Sequence, residues 1–104
     1  MTLGPITLLT PEAEFESRTS QNDLVAFIRE AVRLAQEPFG GLEERFDVLV
    51  QFTCRPGGHE VGLAIQGEPP DDRLQQYYEA LAAAEPLPVS DREVSFLVAI
   101  LVVP

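Results

Sequence analysis

The feature that most constrains the fold is a change of apolar parity across the turn Arg55-Pro56-Gly57-Gly58. From Phe46 to Cys54 the apolar residues fall mainly on even positions, whereas from Val61 to Ile65 they fall on odd ones. Alternation with a period of two is typical of a strand buried on one face. The segment therefore predicts a β-hairpin whose two apolar sets share one core.

The parity change also predicts the strand register, because opposed side chains lie on the same face of a sheet. A two-residue loop at Pro56-Gly57, with type II turn chemistry, pairs Phe52 with Val61 and Cys54 with His59. A type I turn with a bulge would instead set Val61 against Thr53. We favour the first register, since a one-residue slip would turn a whole apolar set away from the core.

Two amphipathic helices flank the hairpin in the sequence. Ser20 resembles an N-cap, and the apolar spacing of the residues that follow predicts a helix over about 21–36. Pro38 and Gly40-Gly41 are expected to stop it. A second helix follows Pro69-Pro70, with Asp71 or Asp72 as its cap.

The two ends of the chain complete the predicted sheet. Ile6 to Leu9 indicate a short edge strand, and the Glu-rich stretch 12–16 a loose, solvent-facing segment. Nearly every residue from Val94 to Val102 is apolar, so this strand is either covered on both faces or gives one face to an interface. The order (β)-α-β-β-α-β predicts an α+β two-layer sandwich in a single domain over 1–104, with two helices on one face of a small antiparallel sheet.

Charge sets the expected class of partner. Seventeen Asp and Glu residues against seven Arg and no Lys give a formal net charge of −10. Counterion release on nucleic acid requires clustered cations, and anionic membranes are equally unfavourable. We therefore expect no nucleic-acid or membrane partner, and a basic protein partner instead.

The same composition suggests a compartment. No apolar run approaches the roughly 20 residues of a membrane span, and the first residues lack the pattern of a signal peptide. A single cysteine suits a reducing compartment. These features predict a bacterial cytoplasmic protein.

Cys54 and His59 are the only cysteine and histidine in the chain. A closed zinc site takes four ligands, and Glu60 points to the other face in the favoured register. Cys–His catalysis also requires an orienting group and an oxyanion site, and no cleft-forming loop is evident nearby. We therefore expect no metal, no cofactor and no catalytic residues, and interpret the chain as a binding protein and not an enzyme.

Acidic residues near the hairpin and the second helix are the candidate partner-binding site. The best hypothesis is an immunity or inhibitor-type protein that binds a basic toxin or effector, since complementary fields speed association. An exposed Tyr beside carboxylates is also typical of a binding hot spot. The candidate contact residues are Glu43, Glu44, Asp47, Glu68, Asp71, Asp72, Tyr78 and Glu79.

An alternative comes from the part of the chain after Phe46. The hairpin 48–61 with its Pro56-Gly57 turn, the helix 71–84, the exit Pro86-Leu87-Pro88 and the strand 94–102 resemble the C-terminal domains of TonB and TolA. The resemblance implies partner binding by strand addition at a sheet edge. The chain departs from that family in its acidity, in Gly57 where the family has Asp, and in lacking an N-terminal anchor and spacer.

A homodimer is the third alternative. The last strand would supply the interface, because it is apolar on both faces.

Overall fold

The computed structural model describes residues 2–103, which form an α+β fold as expected. Three helices and four strands follow in the order β-α-α-β-β-α-β across these residues. The elements are β1 (Thr2–Leu8), α1 (Glu12–Arg18), α2 (Gln21–Phe39), β2 (Phe46–Arg55), β3 (Gly58–Gln66), α3 (Asp71–Ala83) and β4 (Val94–Val102).

The four strands form one antiparallel sheet in the order β1-β4-β2-β3. Its hairpin has the favoured register, with Phe52 opposite Val61 and Cys54 opposite His59. Gly57 has a φ of 81°, as the third position of a type II turn requires. The parity argument from the sequence is therefore confirmed.

One face of the sheet carries α2 and α3 and forms the core. Ser20 caps α2 by accepting a hydrogen bond from the Asp23 N–H at 3.1 Å, as predicted. Of the two predicted stop signals, Pro38 lies inside the helix, whereas Gly40 is its C-cap as expected. The last turn continues to Phe39 and is closed by the Gly40 N–H, which donates to the Gln36 carbonyl at 2.8 Å.

The segment between β1 and α2 also differs from the prediction. Residues 12–18 are helical and not loose, because Phe15 is buried and packs edge-on against Phe96 at a centroid distance of 5.9 Å. Thr19 fixes the end of α1 by donating its hydroxyl to the Pro88 carbonyl at 2.7 Å. β1 is longer than the predicted strand and carries a register shift between Leu3 and Ile6.

The last strand, β4, lies inside the sheet, between β1 and β2. Its even-numbered side chains, from Val94 to Val102, are buried beneath the helices. Its odd-numbered side chains, from Ser95 to Leu101, are half-buried on the opposite face. Because both edges of β4 are paired, a dimer through this strand can use only that second face.

Candidate partner-binding site

Six of the eight predicted contact residues gather at one end of the sheet. The antiparallel hairpin brings the start of β2 beside the end of β3, with Asp47 opposite Gln66. The α2–β2 loop and the start of α3 join the same end. We call this group the acidic end; it consists of Glu43, Glu44, Asp47, Glu68, Asp71 and Asp72.

A close backbone approach holds the loops of the acidic end together. Gly67 has a φ of 111°, a conformation that side chains rarely adopt. A Cβ atom at this position would lie 2.9 Å from the Phe46 Cβ and 3.2 Å from the Arg45 carbonyl oxygen. The β3–α3 loop that carries Glu68 is thereby pressed against the start of β2.

The capping prediction for α3 is wrong. Its N-cap is Pro70, which makes no side-chain capping bond, and Asp71 and Asp72 lie within the first turn. Carboxylates in a first turn still interact favourably with the positive end of the helix dipole. Both side chains therefore point their charge toward solvent at the start of the helix, where both residues are exposed.

The charges of the acidic end are largely left free. Five of its residues are exposed and Asp47 is half-buried. Two guanidinium groups belong to the same segments, those of Arg45 and Arg73. Among residues 2–103 the acidic end makes one ion pair, between Asp72 and Arg73 at 3.8 Å. The group therefore presents a net negative charge to solvent.

The remaining two predicted residues lie on α3, two helical turns further on. Tyr78 is 41% exposed, and Glu79 accepts a hydrogen bond from Gln75 at 3.0 Å. A spacing of seven residues puts Asp71 and Tyr78 on the same flank of the helix, roughly 10 Å apart along its axis. Of the adjacent pair Tyr77-Tyr78, Tyr77 lies in the core and Tyr78 at its margin.

Tyr77 is the core member of that pair. It is fully buried and donates its hydroxyl to the Ala31 carbonyl at 2.9 Å. Burial raises the pKa of the Tyr77 phenol above its usual value. Tyr77 therefore joins α3 to α2 and takes no part in a surface site.

Cys54 and His59 are cross-strand neighbours on the core face of the hairpin. Burial raises the pKa of the Cys54 thiol to about 12, so the nucleophilic thiolate is scarce at neutral pH. His59 donates its Nε2 proton to the Leu81 carbonyl at 2.7 Å, and its ring packs edge-on against Phe27 at 5.6 Å. Within residues 2–103, His59 Nδ1 has no hydrogen-bond partner, and the metal-ligating residue types form no group of three or more.

The sequence did not reveal a cleft in the helix layer. A cavity of about 290 Å³ opens between α2 and the segment 84–88, near the hairpin and away from the acidic end. Its walls include Phe27, Phe52 and Leu81, and three carboxylates stand among the lining residues, those of Asp23, Glu30 and Glu85. The segment Pro86-Leu87-Pro88 forms one wall of this cavity, opposite α2. Its prolines were the local sequence signal for the cavity.

Comparisons of the chain with protein-family models, curated proteins and solved structures found no match. The resemblance to the TonB and TolA C-terminal domains therefore stays a hypothesis. In residues 2–103 no helix is long and apolar enough to cross a bilayer.

Proposed function

We propose that the protein is a non-catalytic interaction module whose acidic end binds a basic protein partner. The immunity or inhibitor type of protein, acting on a toxin or effector in the bacterial cytoplasm, is the specific form of this proposal. The observation that carries it is that six carboxylates from separate segments converge on one end of the sheet, where a single ion pair among residues 2–103 offsets them.

This arrangement suits partner capture because free surface charge is effective at steering association. Interaction between exposed charges adds little to the stability of a fold. The same charges, aligned on one end of a rigid domain, raise the association rate for a basic partner and act over about 10 Å at 0.1 M salt. Exposed Tyr78 offers an apolar anchor beside them.

The test is capture from an extract of the native host with matched charge variants as bait. One variant carries Glu43→Gln, Glu44→Gln, Glu68→Gln and Asp71→Asn. Its control carries the same exchange at four exposed residues outside the acidic end, namely Glu12→Gln, Glu16→Gln, Glu85→Gln and Asp91→Asn. Both change the net charge from −10 to −6, so only the position of the charge differs.

We expect a basic protein to bind the wild type and the control stoichiometrically, and to be lost with the acidic-end variant. The binding should also weaken steeply with added salt. Equal loss with both variants would show that net charge alone acts, and capture of no basic protein would contradict the proposal.

Strand addition is the second candidate, and the sheet topology favours it at two places. β1 and β3 are the outer strands of the described sheet, so each has an edge unpaired within residues 2–103. Main-chain pairing is only weakly sensitive to salt. A partner that resists salt and is lost when Pro is scanned along β1 or β3 would identify this mode in place of charge capture.

A further inference from the structure

The face of the sheet opposite the helices has no charged side chain in the middle of the described strands, and a recess lined by Pro5, Leu49, Ala64, Ala99 and Leu101 opens in it. Two rows of side chains cross it, formed by Ala99, Leu49 and Ala64 in one and by Thr7, Leu97, Gln51 and Gly62 in the other. Charged side chains of the described strands appear on this face only toward its ends, with Asp47 at one and Arg55 and Glu60 at the other.

The same face is apolar as well as neutral. Leu49 is 38% exposed, and Leu97 and Leu101 are half-buried beside it. Small residues, among them Ala64 and Ala99, leave a recess beside Leu49 and Leu101, and β1 approaches β4 so closely that a Cβ atom on Gly4 would lie 3.1 Å from the Ala99 Cβ. Across residues 2–103, the helices that pack on the sheet lie on its other side, so this apolar surface is open to solvent.

Electrostatics selects the partner that fits this face. The two middle rows of this face offer no carboxylate with which a basic protein could pair. A second copy of the chain, which also carries a net charge of −10, is repelled from most of the surface. On this face two copies can approach through two uncharged rows, and each presents the same surface to the other.

The area is sufficient for a specific dimer. Four strands about 4.8 Å apart and nine residues long at about 3.4 Å each span roughly 20 by 30 Å. Two such faces together give roughly 1,200 Å², which clears the roughly 1,000 Å² expected of a biological interface. Sheets that pack face to face lie about 10 Å apart, a spacing that Leu49 and Leu97 can fill.

We propose that the protein forms a two-fold homodimer by packing the open faces of two sheets together. The two-fold axis lies across the strands, so that the two acidic ends point in opposite directions and their repulsion is smallest. The interface involves β2 and β3 as well as β4, so it is broader than a dimer through the last strand. This inference does not rest on the proposed function, because five of the six acidic-end residues lie in loops and in α3, outside the packed face, and only Asp47 lies at its margin.

The first test compares two leucines on opposite sides of the sheet. Leu49→Glu places a charge in the centre of the open face, whereas Leu3→Glu places it on the helix side of β1, where Leu3 is similarly exposed at 42%. By sedimentation velocity we expect dimers for the wild type and for Leu3→Glu, and monomers for Leu49→Glu. Added salt should strengthen the dimer by screening its net charge. A monomeric wild type at high concentration, or loss of dimers only in Leu3→Glu, would overturn the proposal.

Engineered cysteines test the interface without disrupting it. Gln51→Cys lies at the middle of β2, near the proposed axis, and should form a disulfide with its own copy under mild oxidation. Asp47→Cys lies at one end of the face and should form no disulfide, because the proposed axis places the two copies of residue 47 at opposite ends of the dimer. Native Cys54 is fully buried and gives no background. A disulfide in Asp47→Cys but not in Gln51→Cys would refute the two-fold packing. Neither outcome would bear on whether the acidic end captures a basic partner.

Discussion

The two ends of the sheet use their charges differently. At the end that carries the hairpin turn, Arg55 pairs with Glu60 at 3.0 Å and with Glu93 at 3.2 Å, and Arg18 pairs with Glu14 at 3.6 Å. At the acidic end, six carboxylates share one ion pair at 3.8 Å. At the hairpin end Arg55 thus bridges two carboxylates from different elements, although Glu12, Glu16 and Asp91 stay exposed there without an ion pair among residues 2–103. At the acidic end the ion pair found among these residues joins only two neighbours along the chain.

The two ends differ in whether charged side chains hold their segments together. The hairpin end is tied together across elements, since Arg18 also donates to the Glu93 carbonyl at 3.0 Å. The acidic end is held instead by backbone packing around Gly67. Among residues 2–103, Glu43, Glu44 and Glu68 form no ion pair, which is what we expect of residues kept for a partner.

The largest expected effect tests how the two ends are held. Gly67→Ala meets both a φ of 111° and overlap with Phe46, so we expect a loss of about 3 kcal/mol in the free energy of unfolding. Gly57→Ala in the hairpin turn has a φ of 81° but open space around it, and should lose about 1 kcal/mol. Urea unfolding measures both. Equal losses would mean that the acidic end is not closely packed.

The hairpin end should also respond to alkaline pH through Cys54. Its pKa rises from 9.0 to about 12 on burial, so the neutral thiol is favoured in the folded state. Stability is then full below pH 9 and falls as the pH rises toward 12, by roughly 3 kcal/mol near pH 11. Cys54→Ala should remove this part of the pH dependence. Rapid alkylation of native Cys54 at neutral pH would contradict the burial on which the prediction depends.

Local sequence signals were enough to predict the strand pairing at the hairpin turn. The parity of the apolar residues predicted that Cys54 faces His59, and the same register implies that Asp47 lies at the far end beside Gln66. Helix α1 escaped prediction because it buries a single side chain, Phe15. One large apolar residue in seven shows no helical period.

The charge pattern could not be predicted, because it depends on the strand order. Arg55 meets Glu93 only because β4 pairs with β2, which sets Cys54 opposite Val94. The hydrophobic pattern of β4 was compatible with several positions in a sheet. Which carboxylates stay free is therefore a property of the topology, and the sequence indicated only that an excess existed.

A smaller effect concerns the anchor of α1 at the hairpin end. Thr19→Val removes the hydrogen bond from Thr19 to the Pro88 carbonyl while keeping the shape of a buried side chain. We expect a loss of about 1 kcal/mol in the free energy of unfolding. Ser17→Ala, which removes an exposed hydrogen bond to the Glu14 carbonyl within α1, is the matched control and should change little. Similar losses in both variants would show that the long-range bond does not stabilise this end.

The smallest effect should have opposite signs at the two ends. Arg55→Gln breaks the ion pairs with Glu60 and Glu93 and should lower the midpoint of urea unfolding slightly at low salt. Glu44→Gln removes one of several like charges at the acidic end and should raise the midpoint slightly, because repulsion within the cluster is relieved. Both shifts should shrink as salt is added. A decrease in the midpoint for Glu44→Gln would mean that the acidic end stabilises the fold, and would remove the reason to regard its charge as kept for a partner.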